Sequence, residues 1–379
     1  ARSTSRLVSQ NKASGLYLHV PFCLSKCDYC GFYSETPVEK SIEQYLQRLA
    51  EEARARFEPA TGHLKTVFVG GGNPTCIGLA NLQRLVEIIR SLLPNPSLLQ
   101  EWTFESNPET LTVEIADYLA TLPQIRLSMG IQRLNDRELA ALGRRASLDS
   151  VYRALDVTFA RLKNVSGDFI LGVPGCPSLA DDLHQLVTRY PFAHVSAYFL
   201  TIEENTPMQK AVSQGLLSDP ADIGAEELYE VRDALAAAGF EHYEISNHAR
   251  AGLECRHNLN YWCQGDYLGL GPAAVSCCDG IRLANPPDLR RWLAEEPAAV
   301  ERLSPADRRN EYLMLRLRLV QQGLDLADFE QCFGRQPEDF YRTLARQTAT
   351  GNLWREGDKI RLSDCGLRLA DEVMASLFI

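Results

Sequence analysis

From about residue 15 to residue 250, short β-rich runs alternate with stretches of helical period, and this alternation constrains the chain more than any other feature. Leu16-Tyr17-Leu18-His19-Val20 reads as a first strand, followed by a cysteine-bearing loop. A helix comes next, with Ile42, Tyr45, Leu46, Leu49 and Ala53 at helical spacing. Thr66–Val69 is a second strand, and Leu79, Leu82, Leu85, Val86 and Ile89 mark a second helix. Further strands are predicted at Trp102–Phe104, Leu127–Met129, Phe169–Val173 and Val195–Leu200, with helical stretches between them. Near-continuous apolar strands alternating with helices predict an α/β fold, a parallel sheet covered by helices. About six such units fit a partial (β/α)6 barrel better than a closed eight-unit one.

Unusual polar groups collect at the ends of these strands. Cys23, Cys27 and Cys30 follow the first, Gly70-Gly71-Gly72-Asn73-Pro74 the second, and Glu105-Ser106-Asn107 the third. Gly130-Ile131-Gln132 ends the fourth, and Asp168 lies beside the fifth. In barrel-like α/β folds the carboxyl ends of the strands form the reactive face, so these groups are expected in one place.

The character changes near residue 300. Ser304-Pro305-Ala306-Asp307 reads as an N-cap, a proline in the first helical turn and an acid behind it. Helical stretches follow at Leu326–Phe333 and Glu338–Thr348. A hairpin is predicted around Glu356-Gly357-Asp358, and a last helix after Ser363. This predicts a small winged-helix-like α+β domain. The expected division is a flexible tail over 1–16, the barrel over 17–250, a connecting segment over 251–303 and the C-terminal domain over 304–379.

Charge narrows the partners. The chain carries 39 Lys and Arg against 49 Asp and Glu, a net charge of −10. Residues 304–379 hold 11 basic and 12 acidic side chains. No nucleic-acid partner is expected, because phosphate binding needs a basic surface. No apolar run approaches the roughly 18 residues of a membrane span. The first sixteen residues contain Arg2, Arg6 and Lys12 and no acid, which reads as a loose cytosolic tail rather than a transit remnant. Eleven cysteines, clustered at one place only, point to a reducing compartment with free thiols. A cytoplasmic location follows.

Cys23-x3-Cys27-x2-Cys30 is the sharpest motif. Three thiolates on one short loop can hold an iron–sulfur cluster and leave one iron open to an external ligand. Zinc is the rival, with His19 completing a Cys3His set, and three incidental thiols are the third reading. The run Tyr17-Leu18-His19-Val20-Pro21-Phe22-Cys23-Leu24-Ser25-Lys26-Cys27-Asp28-Tyr29-Cys30 resembles the signature of radical S-adenosylmethionine (SAM) proteins. More narrowly, it is similar to the branch that holds oxygen-independent coproporphyrinogen III dehydrogenases and heme chaperones. Gly70–Pro74, Glu105–Glu109, Arg126–Gln132, Gly143-Arg144-Arg145 and Asp168–Gly175 resemble the same branch.

The resemblance implies a [4Fe-4S] cluster on Cys23, Cys27 and Cys30, with SAM chelating the open iron. One electron from the cluster then cleaves the sulfonium bond, while the protein orients the cofactor. It implies that Gly71 and Gly72 let the backbone approach the methionine moiety, and that Glu105, Gln132 and Arg144 contact the methionine end or ribose. Asp168 would accept from ribose hydroxyls, and Tyr17 would line the pocket beside the cluster. Asn73 stands where the family usually has Thr, which keeps a hydrogen-bonding side chain of a different shape.

Within the branch, the dehydrogenases resemble CxxxCxxCxC, whereas here Gly31 and Phe32 follow Cys30. They also carry a longer segment ahead of the position of Tyr17. Cys255-Arg256-His257-Asn258-Leu259-Asn260-Tyr261-Trp262 contains HNxxYW, which resembles the mark of the heme chaperones. The stretches Glu311–Leu319 and Leu362–Phe378 look like that group's C-terminal domain. An imidazole beside two large aromatics suits a porphyrin, which needs flat apolar contact and an axial ligand. The alternative is a packing loop in which His257 makes an ordinary hydrogen bond. Cys255 is a competing ligand. Cys263, Cys277 and Cys278 are expected to be buried small hydrophobes or oxidation-prone thiols. The resemblance therefore implies a chaperone that binds heme and passes it to client hemoproteins, peripherally at a membrane surface, with an electron donor for the cluster. The oligomeric state stays open between monomer and homodimer. The alternatives are a radical enzyme that decarboxylates coproporphyrinogen III and a zinc-stabilised binding module.

Overall fold

The computed structural model of the chain describes residues 13–56, 64–93, 95–218 and 221–379. Most of the expected tail, residues 1–12, lies outside the described residues. Ala13 is buried, and the Ser14 N–H donates to the Asp266 carbonyl at 3.0 Å, so order begins ahead of the first strand.

Twelve strands form one sheet: β1 (Gly15–Val20), β2 (Thr66–Gly71), β3 (Glu101–Ser106), β4 (Ile125–Gln132), β5 (Val165–Leu171), β6 (His194–Phe199), β7 (Glu241–Glu244), β8 (Asn247–Ala249), β9 (Tyr267–Leu270), β10 (Val275–Cys278), β11 (Ile281–Ala284) and β12 (Ala299–Arg302). Their order is β12-β11-β10-β9-β1-β2-β3-β4-β5-β6-β8-β7. Strands β1 to β6 pair in parallel, as a partial (β/α)6 barrel requires. A second, three-stranded sheet of β13 (Leu324–Asp325), β14 (Leu353–Glu356) and β15 (Lys359–Leu362) forms the C-terminal winged-helix-like domain with its helices.

Side chains alternate between the two faces of each strand. Leu16, Leu18 and Val20 of β1, Val67 and Val69 of β2, Trp102 and Phe104 of β3 and Leu127, Met129 and Ile131 of β4 are buried on the helix-covered face. They pack there against residues such as Ile42, Leu46 and Leu49 of the helix Glu39–Arg56. Each such side chain contributes about 1.5–3 kcal/mol by leaving water. The intervening positions point into the hollow of the barrel and carry most of its polar groups: Tyr17 and His19, Glu101, Thr103 and Glu105, Arg126 and Ser128, Ser166 and Asp168, His194 and Ser196, with Phe68 and Ile170 apolar among them.

The fifth strand runs over Val165–Leu171, four residues earlier than its expected start at Phe169. Ser166 and Asp168 are polar because they face the barrel hollow, whereas Gly167 between them faces the helix-covered core. Gly167 is required there, since a Cβ would lie 2.8 Å from the Phe169 ring and 3.0 Å from that of Phe192. Gly172 at φ 75° ends the strand, so Val173 falls outside it.

The segment 251–303, expected to connect, carries the helix Arg256–Trp262 and strands β9 to β12. Strand β9 lies parallel to β1 and extends the parallel set. A buried polar knot ties this segment to the barrel. Glu52, 4% exposed, accepts the Gly271 N–H at 2.9 Å, Asn285 Nδ2 at 2.7 Å and Trp292 Nε1 at 3.2 Å. Single-sequence periodicity does not show such a long-range anchor.

Ser304 caps the helix Pro305–Leu317 through a reciprocal box with Asp307, as expected, a motif that contributes about 1 kcal/mol. The helix expected after Ser363 is split at Leu369 into Asp364–Arg368 and Ala370–Ser376. The C-terminal domain meets the barrel at Arg318, which pairs with the buried Glu244 at 2.6 Å and lies 4.7 Å over the Trp262 ring. Among the described residues, no helix is long and apolar enough to cross a membrane.

Candidate functional site

The three cysteines of the loop after β1 open into one cavity of about 510 Å³ at the carboxyl ends of the strands. None is in a disulfide. The loop is tied down by backbone bonds from Cys23 N to Glu35 O at 2.9 Å and from Asp28 N to Leu142 O at 3.2 Å. Burial pushes the Cys23 thiol up to about 11 and raises that of Cys30. A bound metal centre would be needed to hold them as thiolates at neutral pH.

Arg144 closes one side of this loop. Its Nη1 donates to Cys27 Sγ at 3.5 Å and its Nη2 to the Gly130 carbonyl at 2.9 Å. Among the described residues its buried Nε has no hydrogen-bond partner, while its Nη2 pairs with Glu109 Oε2 at 3.9 Å. An orphaned polar atom at the wall of a roomy cavity fits a bound polar group. Among the described residues, no three His, Cys, Asp or Glu side chains are gathered tightly enough for a single metal ion. His19 also does not serve the zinc alternative. It stays in β1, 4% exposed, with Nδ1 at 3.0 Å from the Tyr17 hydroxyl and Nε2 at 3.2 Å from the Tyr33 carbonyl. A four-iron cube is wider than one ion, and its cysteines stand further apart.

Tyr17, Gly71, Gly72, Glu105, Gln132, Arg144 and Asp168 line the same cavity as the cysteines. Glu105 Oε2 accepts the Gly71 N–H at 3.0 Å. Burial and the neighbouring Asp168 push its carboxyl up to about 8. Two glycines are sterically required beside it. A Cβ on Gly70 would strike Glu105 Oε2 at 2.4 Å, and one on Gly71, at φ 96°, would strike His19 Nδ1 at 2.3 Å. Asp168 accepts from Ser128 at 2.8 Å and Ser166 at 3.2 Å, and burial raises its pKa against the opposing pull of Arg126.

Asn73 is not brought to the cavity. It is 2% exposed, and its side chain donates to Thr110 Oγ1 at 2.8 Å and accepts from Thr75 Oγ1 at 2.8 Å. Here the residue pins the loop after β2 to the loop after β3. Asn107 lines the cavity as its place at a strand end led us to expect, and Ser128, Tyr198 and Glu203 line it without having been expected to. Ser128 and Tyr198 carried a signal, being polar groups at inward positions of otherwise apolar strands.

His257 stands at a second cavity of about 480 Å³, lined largely by aromatics including Tyr17, Phe32, Tyr33, Phe68 and Tyr261. Tyr17, Gly31 and Phe32 line both cavities. His257 sits near the start of the helix Arg256–Trp262, with Nδ1 at 2.9 Å from Thr66 Oγ1 and Nε2 at 2.8 Å from the Tyr261 hydroxyl. Its ring lies 5.2 Å from that of Phe68. Burial, reinforced by Arg126, pushes its pKa down to about 3, so the imidazole is neutral. Glu101 holds the start of this helix, accepting the N–H groups of Arg256 at 2.8 Å and His257 at 3.1 Å. Cys255 is fully buried, with its thiol 3.4 Å from Glu101 Oε1, and does not line the aromatic cavity. Cys278 is buried, as expected, whereas Cys263 is exposed and Cys277 half-buried.

Comparison with known proteins agrees with this arrangement. The family model of the Radical SAM superfamily matches residues 17–177, and that of the HemN C-terminal domain matches residues 303–369. The heme chaperone HemW of Mycobacterium tuberculosis (strain H37Rv) is 36% identical over 383 residues, covering 96% of this chain and 94% of that protein. Heme chaperone HemW of Lactococcus lactis is 29% identical, covering 97% and 98%. Among solved structures, the coproporphyrinogen III oxidase HemN of Escherichia coli superposes with a TM-score of 0.83 at 20% identity, covering 99% of this chain and 92% of that one. With its radical SAM barrel, its HemN-type C-terminal domain and full-length relatives of this kind, the chain belongs to the heme chaperone HemW family of the radical SAM superfamily.

Proposed function

We propose that this protein binds one [4Fe-4S] cluster on Cys23, Cys27 and Cys30, binds SAM in the adjoining cavity, and carries heme in the aromatic chamber for delivery to client hemoproteins. The observation that supports this reading most is the shared wall. The cavity with the three free cysteines and the aromatic chamber at HNxxYW meet at Tyr17, Gly31 and Phe32. When bound, the cluster supplies an open iron for SAM and one-electron chemistry.

The chain's own residues do the rest. Arg144 offers a guanidinium to the carboxylate of SAM, a pairing that allows two parallel hydrogen bonds. Glu105 faces the same cavity and offers a carboxylate to the ammonium. Asp168, already fixed by Ser128 and Ser166, accepts from ribose hydroxyls. Tyr17 is held by its bond to His19 and separates cofactor from cargo. Phe32, Tyr33 and Phe68 supply flat apolar area for a porphyrin.

Clients, and the membrane at which some of them reside, are proposed as partners, together with an electron donor. The test is anaerobic reconstitution with iron and sulfide followed by hemin titration. The wild-type chain is expected to take up iron and sulfide, bind SAM and develop a Soret band, while Cys27→Ala loses iron and sulfide. Decarboxylation of coproporphyrinogen III without hemin binding would overturn the chaperone reading in favour of a dehydrogenase.

A further inference from the structure

We infer that the axial ligand of ferric heme in the aromatic chamber is the phenolate of Tyr261, and that His257 is the residue that positions and stabilises it. This deepens the reading of the chamber as the heme site and rests on it.

The argument follows the protons. Thr66 is buried and, among the described residues, its hydroxyl has one hydrogen-bond partner, His257 Nδ1 at 2.9 Å. A buried hydroxyl proton needs an acceptor, and Nδ1 is the one in reach. Nδ1 therefore uses its lone pair on Thr66, and the ring proton of the neutral imidazole sits on Nε2. Nε2–H is then donated to the Tyr261 oxygen at 2.8 Å. In this tautomer His257 has no free lone pair for a metal. Among the described residues, Tyr261 has both a free lone pair and a proton without another acceptor.

The other candidates lining the chamber are spoken for. His19 Nε2 faces the Tyr33 carbonyl, an acceptor, so it carries the proton. Its Nδ1 must then accept from the Tyr17 hydroxyl, which commits the Tyr17 proton. The Tyr33 hydroxyl donates to Glu35 and accepts the Leu289 N–H at 2.8 Å. Tyr261 is held edge-on between the His257 ring, 4.9 Å away, and the Tyr267 ring, 4.6 Å away, so its hydroxyl is fixed in place.

Ligation balances simply. The O–H bond of Tyr261 breaks as its oxygen bonds the iron of hydroxide-ligated hemin, and the phenolic proton leaves with that hydroxide as water. The iron stays ferric. The Nε2–H of His257 then donates to a phenolate, a charge-assisted bond stronger than the one it makes now. A phenolate oxygen suits ferric better than ferrous iron.

The test is hemin titration of the purified chain with resonance Raman and electron paramagnetic resonance readouts, comparing wild type, Tyr261→Phe and His257→Ala. Wild type is expected to show iron–tyrosinate modes and a high-spin ferric signal, and Tyr261→Phe to lose both. His257→Ala is expected to keep the tyrosinate modes while affinity falls by about 10- to 100-fold, as for loss of an outer-shell partner. Wild-type spectra retained in Tyr261→Phe, or an imidazole-type spectrum lost in His257→Ala alone, would overturn the assignment. Absence of any Soret band in wild type would instead overturn the chamber as a heme site.

Discussion

The carboxylate of Glu101, at the first position of β3, accepts the backbone N–H of His257 at 3.1 Å. It also accepts that of Arg256, and the Thr103 hydroxyl donates to it at 3.2 Å. One buried acid thus seats the HNxxYW helix on the barrel. Glu101→Ala leaves two buried N–H groups without an acceptor, a cost of about 1–3 kcal/mol. The expected outcome is a lower urea midpoint with an unchanged slope, together with weaker hemin binding. Unchanged values in both measurements would show that the helix is held by other contacts.

At the other end of the barrel, Arg144 reaches Cys27 Sγ and the Gly130 carbonyl. Arg144→Met keeps the bulk of the side chain and removes its donors. SAM affinity in the reconstituted protein is expected to fall by about 1.5–3 kcal/mol, the contribution of hydrogen bonds to a charged group. Iron and sulfide content should be retained. Calorimetric titration with SAM, beside iron analysis, separates the two effects.

Glu105 gives a pH dependence of definite sign. Its folded pKa of about 8 lies above the ordinary carboxylate value of 4.5. The folded chain therefore holds this proton more tightly than the unfolded chain, and stability from this group is lost as pH rises through that window. Urea midpoints of the chain without cofactors should fall between about pH 5 and about pH 8, and Glu105→Gln should flatten that part of the profile. If the SAM ammonium pairs with Glu105, SAM binding at neutral pH also releases a proton. Titrations in buffers of different ionisation enthalpy measure that release directly.

Arg133 is fully buried between Glu138 and Glu227, each at 2.7 Å, and also donates to the Ile170 carbonyl at 3.1 Å. Glu227 in turn accepts the N–H groups of Gly172 at 2.6 Å and Leu179 at 2.8 Å. Arg133→Ala strands two buried acids and should cost about 3–5 kcal/mol. Thermal unfolding of the variant checks this. A change below about 1 kcal/mol would mean that water reaches the site in the variant.

Much of the barrel was legible because its outer face is plainly apolar. Leu16, Leu18 and Val20 repeat every second residue, and the helix after them shows its buried stripe at Ile42, Tyr45, Leu46 and Leu49. The inner face was harder to read, because there a strand looks like a loop. Ser166 was left out of the strand and Asp168 placed beside it for that reason, so the early start of β5 was missed. The cysteines, Glu105, Gln132, Arg144 and Asp168 were found because they are chemically conspicuous and stand at or near strand ends or on the loops that follow. Asn73 looked alike in sequence but faces Thr75 and Thr110, a partnership between separate loops that no local pattern reports. The strands β9 to β12 escaped notice because they are short and their anchor, Glu52, lies more than two hundred residues earlier.

Tyr17 belongs to both chambers at once, as part of a strand pinned between β2 and β9. A shift of this ring therefore reshapes both rooms together. On the proposed function, a ligand that shoves this ring from one side would alter the floor space on the other, which would give loading and unloading of heme a mechanical reason to follow the state of the neighbouring pocket.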